Sequence, residues 1–221
     1  MLARTLEPEL MDTDRDARQY DAMDHAAVNA QFVADLIGGL QPSAVLTVLD
    51  LGAGTAQIPI ELCRRTPGVR VVAVDAAESM LAVARENVTR AGLTERIDLV
   101  LADAKRLPFA SGRYPVVISN SIVHHIAEPQ LVIGEAVRVA VPGGLLFHRD
   151  LARPQDEKTL ELLVSTYAGD ATSYQQKLFA ASLRAALTLS EIQQLVAELG
   201  FPPRTVQMTS DRHWTWAATA K

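Results

Sequence analysis

The chain has 221 residues, 48% of them hydrophobic, a single cysteine and a formal net charge of −5. That length and apolar content suit one compact α/β domain over residues 1–221, and the negative balance excludes a nucleic-acid partner held by bulk electrostatics while leaving room for a small anionic ligand in a local basic pocket. Cys63 can form no internal disulfide and reads as a small buried hydrophobe in a reduced cytoplasmic setting, no apolar run reaches the length of a membrane span, and no signal-peptide core opens the chain.

Residues 1–16 are polar and rich in Asp, Glu and Arg, and the first ten are expected to fray. Tyr20-Asp21 leads into an amphipathic helix over residues 25–38. Val28, Phe32, Leu36 and Ile37 share one of its faces, and Gly38-Gly39 stops it. Such a helix either packs on a sheet or covers the carboxyl ends of its strands. The pivotal stretch follows at residues 45–57, VLTVLDLGAGTAQ. Val45, Leu46, Val48 and Leu49 form an apolar strand that ends at Asp50, and Gly52-Ala53-Gly54 precede a helix over residues 58–65. The two glycines put no Cβ between backbone and ligand, and the first turn of the next helix offers unpaired N–H groups. A full dinucleotide fingerprint would place a third glycine at position 57, where this chain has Gln57. The second strand, residues 70–74, ends in Asp75, an acid placed to accept hydrogen bonds from both hydroxyls of an adenosine ribose.

Strand and helix then alternate: a helix over 78–90 stopped by Gly92, a strand over 97–102 ending in Asp103, an irregular stretch over 105–112, a strand over 116–119 ending at Asn120, and a loop over 121–126. A helix over 129–139 is followed by a Pro142-Gly143-Gly144 turn and a strand over 145–149. This rhythm calls for parallel crossovers and a doubly wound, Rossmann-like sheet. Residues 155–187 read as helical with breaks near Gly169 and Thr172-Ser173, Thr188 or Ser190 caps another helix, and two strands over 205–208 and 214–218 form a terminal hairpin.

The ordered segments LDLGAGTA, VVAVDAAESML, LVLADAKRLPF, VVISNSIVHHI and VPGGLLFH resemble the class I S-adenosylmethionine-dependent methyltransferases, most of all the small-molecule branch that includes the ubiquinone and menaquinone methyltransferases. The resemblance covers residues 20–150 and continues loosely to the C-terminal hairpin. It implies a seven-stranded, mostly parallel sheet in the order 3-2-1-4-5-7-6, a helical N-terminal lid over residues 1–40 and a variable substrate cover over residues 151–190. It also implies S-adenosylmethionine (SAM) as cofactor across the carboxyl ends of the first four strands, where open α/β sheets bind ligands.

Carried onto this sequence, the resemblance places Asp50, Gly52 and Gly54 against the amino-acid part of the cofactor, with Asp50 holding its ammonium; turn-capping is the alternative for that side chain. Asp75 would take both ribose hydroxyls. Ala76 and Met80 would flank the adenine, although Met80 equally fits ordinary helix core. Asp103 would take the adenine amino group, or merely cap the following turn, and Ala104 would offer its N–H to the ring. Asn120 would border cofactor and substrate, and Tyr20 would sit over the methionine carboxylate.

A sulfonium methyl is already activated, so its transfer needs alignment and exclusion of water, with a base only where the acceptor has a proton to lose. His125 and Asp150 are the candidates for orienting the acceptor or taking its proton, with His124 and His213 as further titratable groups. No histidine has Cys or carboxylate neighbours at metal-binding spacing, so no metal site is expected. Tyr167, Tyr174, Leu178 and Phe179 imply a partly apolar acceptor pocket. The expected partner is a small methyl acceptor, not a nucleic acid or a membrane, and the expected state is monomer or homodimer. A nicotinamide-dependent oxidoreductase shares the glycine turn and the acid after strand two, and a non-catalytic SAM-binding module would share the whole site.

Overall fold

The computed structural model describes residues 2–7, 12–40 and 46–221; Val45, the expected first residue of the pivotal strand, lies outside them. Seven strands form one sheet in the order β3-β2-β1-β4-β5-β7-β6. They are β1 (Leu46–Leu51), β2 (Val69–Asp75), β3 (Ile97–Leu101), β4 (Tyr114–Asn120), β5 (Ala140–Leu151), β6 (Val206–Met208) and β7 (His213–Thr219). β1 runs parallel to β2 and β4, β2 runs parallel to β3, and β6 pairs antiparallel with β7. The helices are α1 (Asp14–Asp21), α2 (Ala26–Gly39), α3 (Gln57–Arg65), α4 (Glu78–Arg90), α5 (Pro129–Val139), α6 (Glu157–Ala168), α7 (Ser173–Ala185) and α8 (Leu189–Glu198). Among the described residues no helix is long and apolar enough to cross a membrane.

The chain divides into two compact units. One comprises Leu10–Asn120, Leu131–His148 and Ala218–Lys221. Its core is built as a parallel sheet requires, from strands apolar on both faces. Val48, Val71, Ala73, Val116 and Ile118 pack with Phe32 and Leu36 of α2 and Ile60 and Leu62 of α3. Cys63 is 1% exposed in that core, as a small hydrophobe.

Two features of this unit depart from the sequence reading. The first is α1, which lies within the helical lid that the resemblance implies but in a polar stretch where the residues themselves show no helix. Its stabilisation is local: Thr13 Oγ1 accepts from the Asp16 N–H, Arg18 pairs with Asp14 one turn away, and Ala17 is its buried residue. A helix with so little apolar surface leaves no 3.6-residue hydrophobic period to read. The second is Pro142-Gly143-Gly144, which lies inside β5 instead of forming a turn before it. The Gly143 N–H donates to Ala220 O (2.9 Å), and the Ala220 N–H donates to Gly144 O (2.8 Å). Gly143 needs its φ of +83°, and a Cβ on Gly144 would stand 2.9 Å from Pro115 O and Val141 O. The glycines thus let β5 start five residues earlier than residue 145, because they bend and crowd the strand without ending it.

The other unit comprises Met1–Glu9, Ser121–Gln130 and Arg149–Ala217. Leu151, Leu160, Leu163, Leu183 and Ala186 form its apolar cluster. Thr188 and Glu191 exchange side-chain and backbone hydrogen bonds at 2.8 and 3.3 Å, a reciprocal cap that starts α8 and contributes about 1 kcal/mol. The fraying expected of the first ten residues does not hold for residues 2–7. The Leu2 N–H donates to Gln155 O, the Thr5 N–H donates to Arg184 O, and the Arg4 guanidinium donates to Ala185 O (2.7 Å) and Ile126 O (2.9 Å).

Candidate functional site

The cofactor residues named from sequence all belong to the first unit described; Tyr20 lies on α1 and Met80 on α4, and the others lie at or just beyond the carboxyl ends of β1 to β4. β1 delivers Asp50 into the interior, 2% exposed, with no hydrogen-bond partner for Oδ2 among the described residues. Burial, reinforced by the nearby Asp75 charge, pushes its carboxyl well above the ordinary range. Beyond it the backbone turns through positive φ at Gly52 (71°), Gly54 (54°) and Ala56 (63°). Ala56 lacks glycine's freedom, so this turn stores backbone strain of about 1–2 kcal/mol, a feature that clusters at ligand sites. The Gly52 and Ala53 N–H groups donate to Val74 O at 2.8 and 2.9 Å, locking the turn onto β2.

Asp75 closes that link. Its Oδ2 accepts from the Gly54 N–H (2.8 Å) and its Oδ1 from the Ala77 N–H (2.9 Å). Burial raises its pKa and the backbone donors oppose that rise. Each carboxylate oxygen still has a lone pair for a further donor, and the side chain is only half-buried. Buried polar atoms without partners are unusual and call for an explanation. Two of them, Asp50 Oδ2 and Asn120 Oδ1, belong to residues near the ends of the adjacent strands β1 and β4, on one face of the sheet by register. An ammonium group would satisfy both acceptors.

Tyr20 lies at the end of α1, and a Cβ on Gly54 would touch its Cε1 at 3.7 Å. Burial, then the charges of Asp75, Asp50 and Asp21, raise its phenol pKa. The tyrosine therefore stands over the glycine turn, where the lid reading needs it. The next residue, Asp21, anchors this placement. Its carboxylate accepts from Gln57 Nε2 (3.1 Å) and Asn87 Nδ2 (2.8 Å), Asn87 also donates to Thr55 O, and Asn29 donates to Gln57 Oε1. Gln57, the residue in place of a third glycine, thus pins α1 and α2 to the start of α3. Sequence reasoning missed this network because its members are 28 to 66 residues apart. A cleft of about 480 Å³ is lined by Asp21, Asn29, Gln57, Arg64 and Asn87 but by none of Asp50, Asp75 or Asn120, so it is distinct from the cofactor residues.

Other candidates take the plainer of their two readings. Met80 is 8% exposed and packs with Ala17, Ala77 and Val83 as core. Asp103 is exposed, its Oδ1 accepts from the Lys105 N–H (2.8 Å), and its Oδ2 lies 3.3 Å from Lys105 Nζ, a turn cap and an ion pair. Ala76 is half-buried at the start of α4, and Ala104 is buried after β3.

In the other unit one catalytic expectation needs correction. Asp150 is 1% exposed and saturated: Oδ2 accepts from the Val123 N–H (2.6 Å) and the His124 N–H (3.2 Å), and Oδ1 accepts from the Leu151 N–H (2.6 Å) and bonds His124 Nδ1 (2.5 Å). Burial alone would raise its carboxyl, but His124 and the backbone donors hold it below the ordinary range. It therefore holds the 3₁₀ turn Val123–His125 in place and has no lone pair left for an acceptor. His125 is 25% exposed, with Nδ1 3.1 Å from Glu7 Oε1, an ion-pair contact with the N-terminal segment. Where no metal site was expected, Glu7, His124 and His125 each offer one potential ligand atom, and these atoms lie within 4.8 Å of one another. Glu7 is more than a hundred residues from the histidines, so spacing could not reveal it. Arg149, the neighbour of Asp150, is buried and donates to Thr215 Oγ1 (2.8 Å). Tyr167 and Tyr174 are 45% and 55% exposed, and Tyr167 donates to Asp211 (2.6 Å) under the Arg212 guanidinium, so neither forms an apolar pocket wall.

His213, the last titratable candidate, is 9% exposed with Ser210 Oγ 2.9 Å from Nδ1. Burial, then Arg212, pull its pKa down to about 4. It is neutral at pH 7 and tied to the hairpin. Because an unfolded histidine titrates near ~6.5, the folded state resists a proton that the unfolded chain accepts, and stability is lost as pH falls from about 6.5 toward 4. His213→Gln should remove up to about one proton from the pH slope of urea stability in that window. Equal slopes in both proteins would contradict the assignment.

The sheet order and the glycine turn define a class I methyltransferase-type fold. Residues 48–144 match the family model described as a methyltransferase domain. The ubiquinone/menaquinone biosynthesis C-methyltransferase UbiE of Cereibacter sphaeroides is 32% identical over 135 residues, 60% of this chain and 54% of that protein. The demethylmenaquinone methyltransferase of Thermus thermophilus is 38% identical over 99 residues, 45% of this chain and 44% of that protein. A solved SAM-dependent methyltransferase from Aquifex aeolicus shares the fold at a TM-score of 0.66 and 16% identity, covering 95% of this chain and 99% of that one. The chain spans about half the length of the curated relatives it matches. Over residues 48–144 the chain is thus similar to methyltransferase domains, and among its relatives are the ubiquinone/menaquinone methyltransferases.

Proposed function

We propose that this chain transfers the methyl group of SAM to a small-molecule acceptor by in-line displacement. The observation that carries the reading is the pair of unpartnered buried polar atoms Asp50 Oδ2 and Asn120 Oδ1 at the ends of β1 and β4, beside the Asp75-braced glycine turn. Bound SAM supplies a sulfonium methyl already activated for transfer. The chain's part is binding and alignment. Asp50 holds the ammonium, Gly52 and Gly54 let the backbone lie against the amino-acid part, and Asp75 takes the ribose hydroxyls. Asp103 and Ala104 meet the adenine, Ala76 and Met80 support its faces, Asn120 borders the reacting end, and Tyr20 closes over the carboxylate. Asp103 must release Lys105 to do so, and Met80 contributes only the surface of a core residue.

Asp150 takes no proton, since its acceptor positions are filled, and His125 is the candidate base where the acceptor has a proton to lose. The acceptor class follows the relatives' names: a reduced quinone or a similarly electron-rich ring. A monomer or homodimer working in the cytoplasm fits the net charge of −5 and the single buried cysteine. The test is S-adenosylhomocysteine release with a panel of demethylated naphthoquinols, benzoquinols and catechols. Release that depends on one acceptor class supports the reading. SAM binding with no turnover on any acceptor would favour a non-catalytic SAM-binding module.

The lid carries its own expectation. Asp21→Ala removes the shared acceptor of Gln57 and Asn87, so residues 21–39 should be cut by protease several-fold faster, with SAM restoring much of the protection. Equal cleavage with and without SAM would reduce α1 and α2 to packing.

A further inference from the structure

One cluster has ligand chemistry that SAM binding leaves unused. Glu7 Oε2 accepts from Ser182 Oγ (3.2 Å), which leaves Oε1 facing the 3₁₀ turn, 3.1 Å from His125 Nδ1 and 3.4 Å from His124 Nε2. Glu7 Oε1 and His125 Nδ1 are both buried and stand at ion-pair distance from each other. The Glu7 and His124 side chains are only 10% and 4% exposed. A divalent cation that takes the place of the ring protons meets all three ligand atoms at once.

The spacing indicates which cation fits. Ligands held ~2.0–2.1 Å from a tetrahedral ion stand about 3.3 Å apart, and the two measured edges from Glu7 fall on either side of that length. Two imidazole nitrogens and a carboxylate oxygen suit zinc, whereas magnesium and calcium prefer all-oxygen sets. His124 also has the support that metal-binding histidines have: its Nδ1 is bonded to the buried Asp150 carboxylate, which leaves Nε2 as the ligand atom. We propose that Glu7, His124 and His125 form a site for a divalent transition-metal ion, zinc by donor set and spacing, with a fourth position open to water or an anionic ligand. Such an ion would clamp the N-terminal segment, which Arg4 already ties to Ile126 O, onto the turn that Asp150 holds.

The test uses the full chain, stripped with chelator and dialysed. ZnCl2 is titrated by calorimetry with and without excess Mg2+, and Co2+ is followed by its visible absorption. One equivalent of Zn2+ should bind, Mg2+ should not compete, and Glu7→Gln and His125→Gln should each weaken Zn2+ at least about tenfold. Should either variant fail to fold, proton NMR of the Co2+-loaded wild type decides, with ring N–H resonances of two histidines shifted by the ion. Absence of saturable Zn2+ binding, binding that both variants keep unchanged, or a Co2+ spectrum without shifted imidazoles would each overturn the site.

Discussion

Asp75→Ala is expected to weaken SAM binding by about ten- to a hundredfold, the scale of losing charge-assisted hydrogen bonds to two hydroxyls. The effect has two sources in the structure. The carboxylate is the acceptor proposed for the ribose, and it also braces the ligand turn by accepting from the Gly54 and Ala77 N–H groups. Asp75→Asn is the intermediate case, because it keeps one carbonyl oxygen with two lone pairs but loses the charge and the second acceptor oxygen. Calorimetry should rank wild type above Asp75→Asn above Asp75→Ala, with circular dichroism unchanged. SAM affinity that is the same in all three would remove the ribose assignment.

The second large effect concerns stability. Asp150→Ala should cost about 3–5 kcal/mol, because it leaves a buried histidine without its counter-charge and two backbone donors of the 3₁₀ turn, together with the Leu151 N–H, without an acceptor. For a chain of this size that lowers the melting temperature by on the order of ten degrees or more. Asp150→Asn should fall between the two, since its amide can keep some of the backbone bonds. A residue that served only to orient an acceptor would leave the melting temperature nearly unchanged.

Much of the architecture was legible because it is written in local patterns. The apolar runs of β1, β2 and β4, the stops at Gly38-Gly39 and Gly92, and the Thr188–Glu191 cap are signals contained within a few residues. The same holds for Asp50, the glycine turn and Asp75, which sit at the ends of readable strands. What escaped depends on contacts distant in sequence or on polar stabilisation. α1 buries too little apolar surface to show a period. Pro142-Gly143-Gly144 looks like a turn until the chain's last residues pair with it. The Asp21–Gln57–Asn87 network and the Glu7–histidine cluster join segments far apart, and their members look like ordinary surface residues when read alone. Asp150 was placed correctly at the end of a strand but given the wrong neighbours, because spacing does not say which donors will surround a buried carboxylate.

Whether the glycine turn between Asp50 and Asp75 holds SAM is measured most directly by calorimetric titration of the chain with SAM, S-adenosylhomocysteine, NAD and NADP. SAM and S-adenosylhomocysteine should bind one-to-one with micromolar affinity, Asp50→Asn should weaken both by losing the ammonium contact, and the nicotinamide cofactors should give no heat of binding. Binding of NAD or NADP without SAM, or SAM affinity unchanged in Asp50→Asn, would contradict the account.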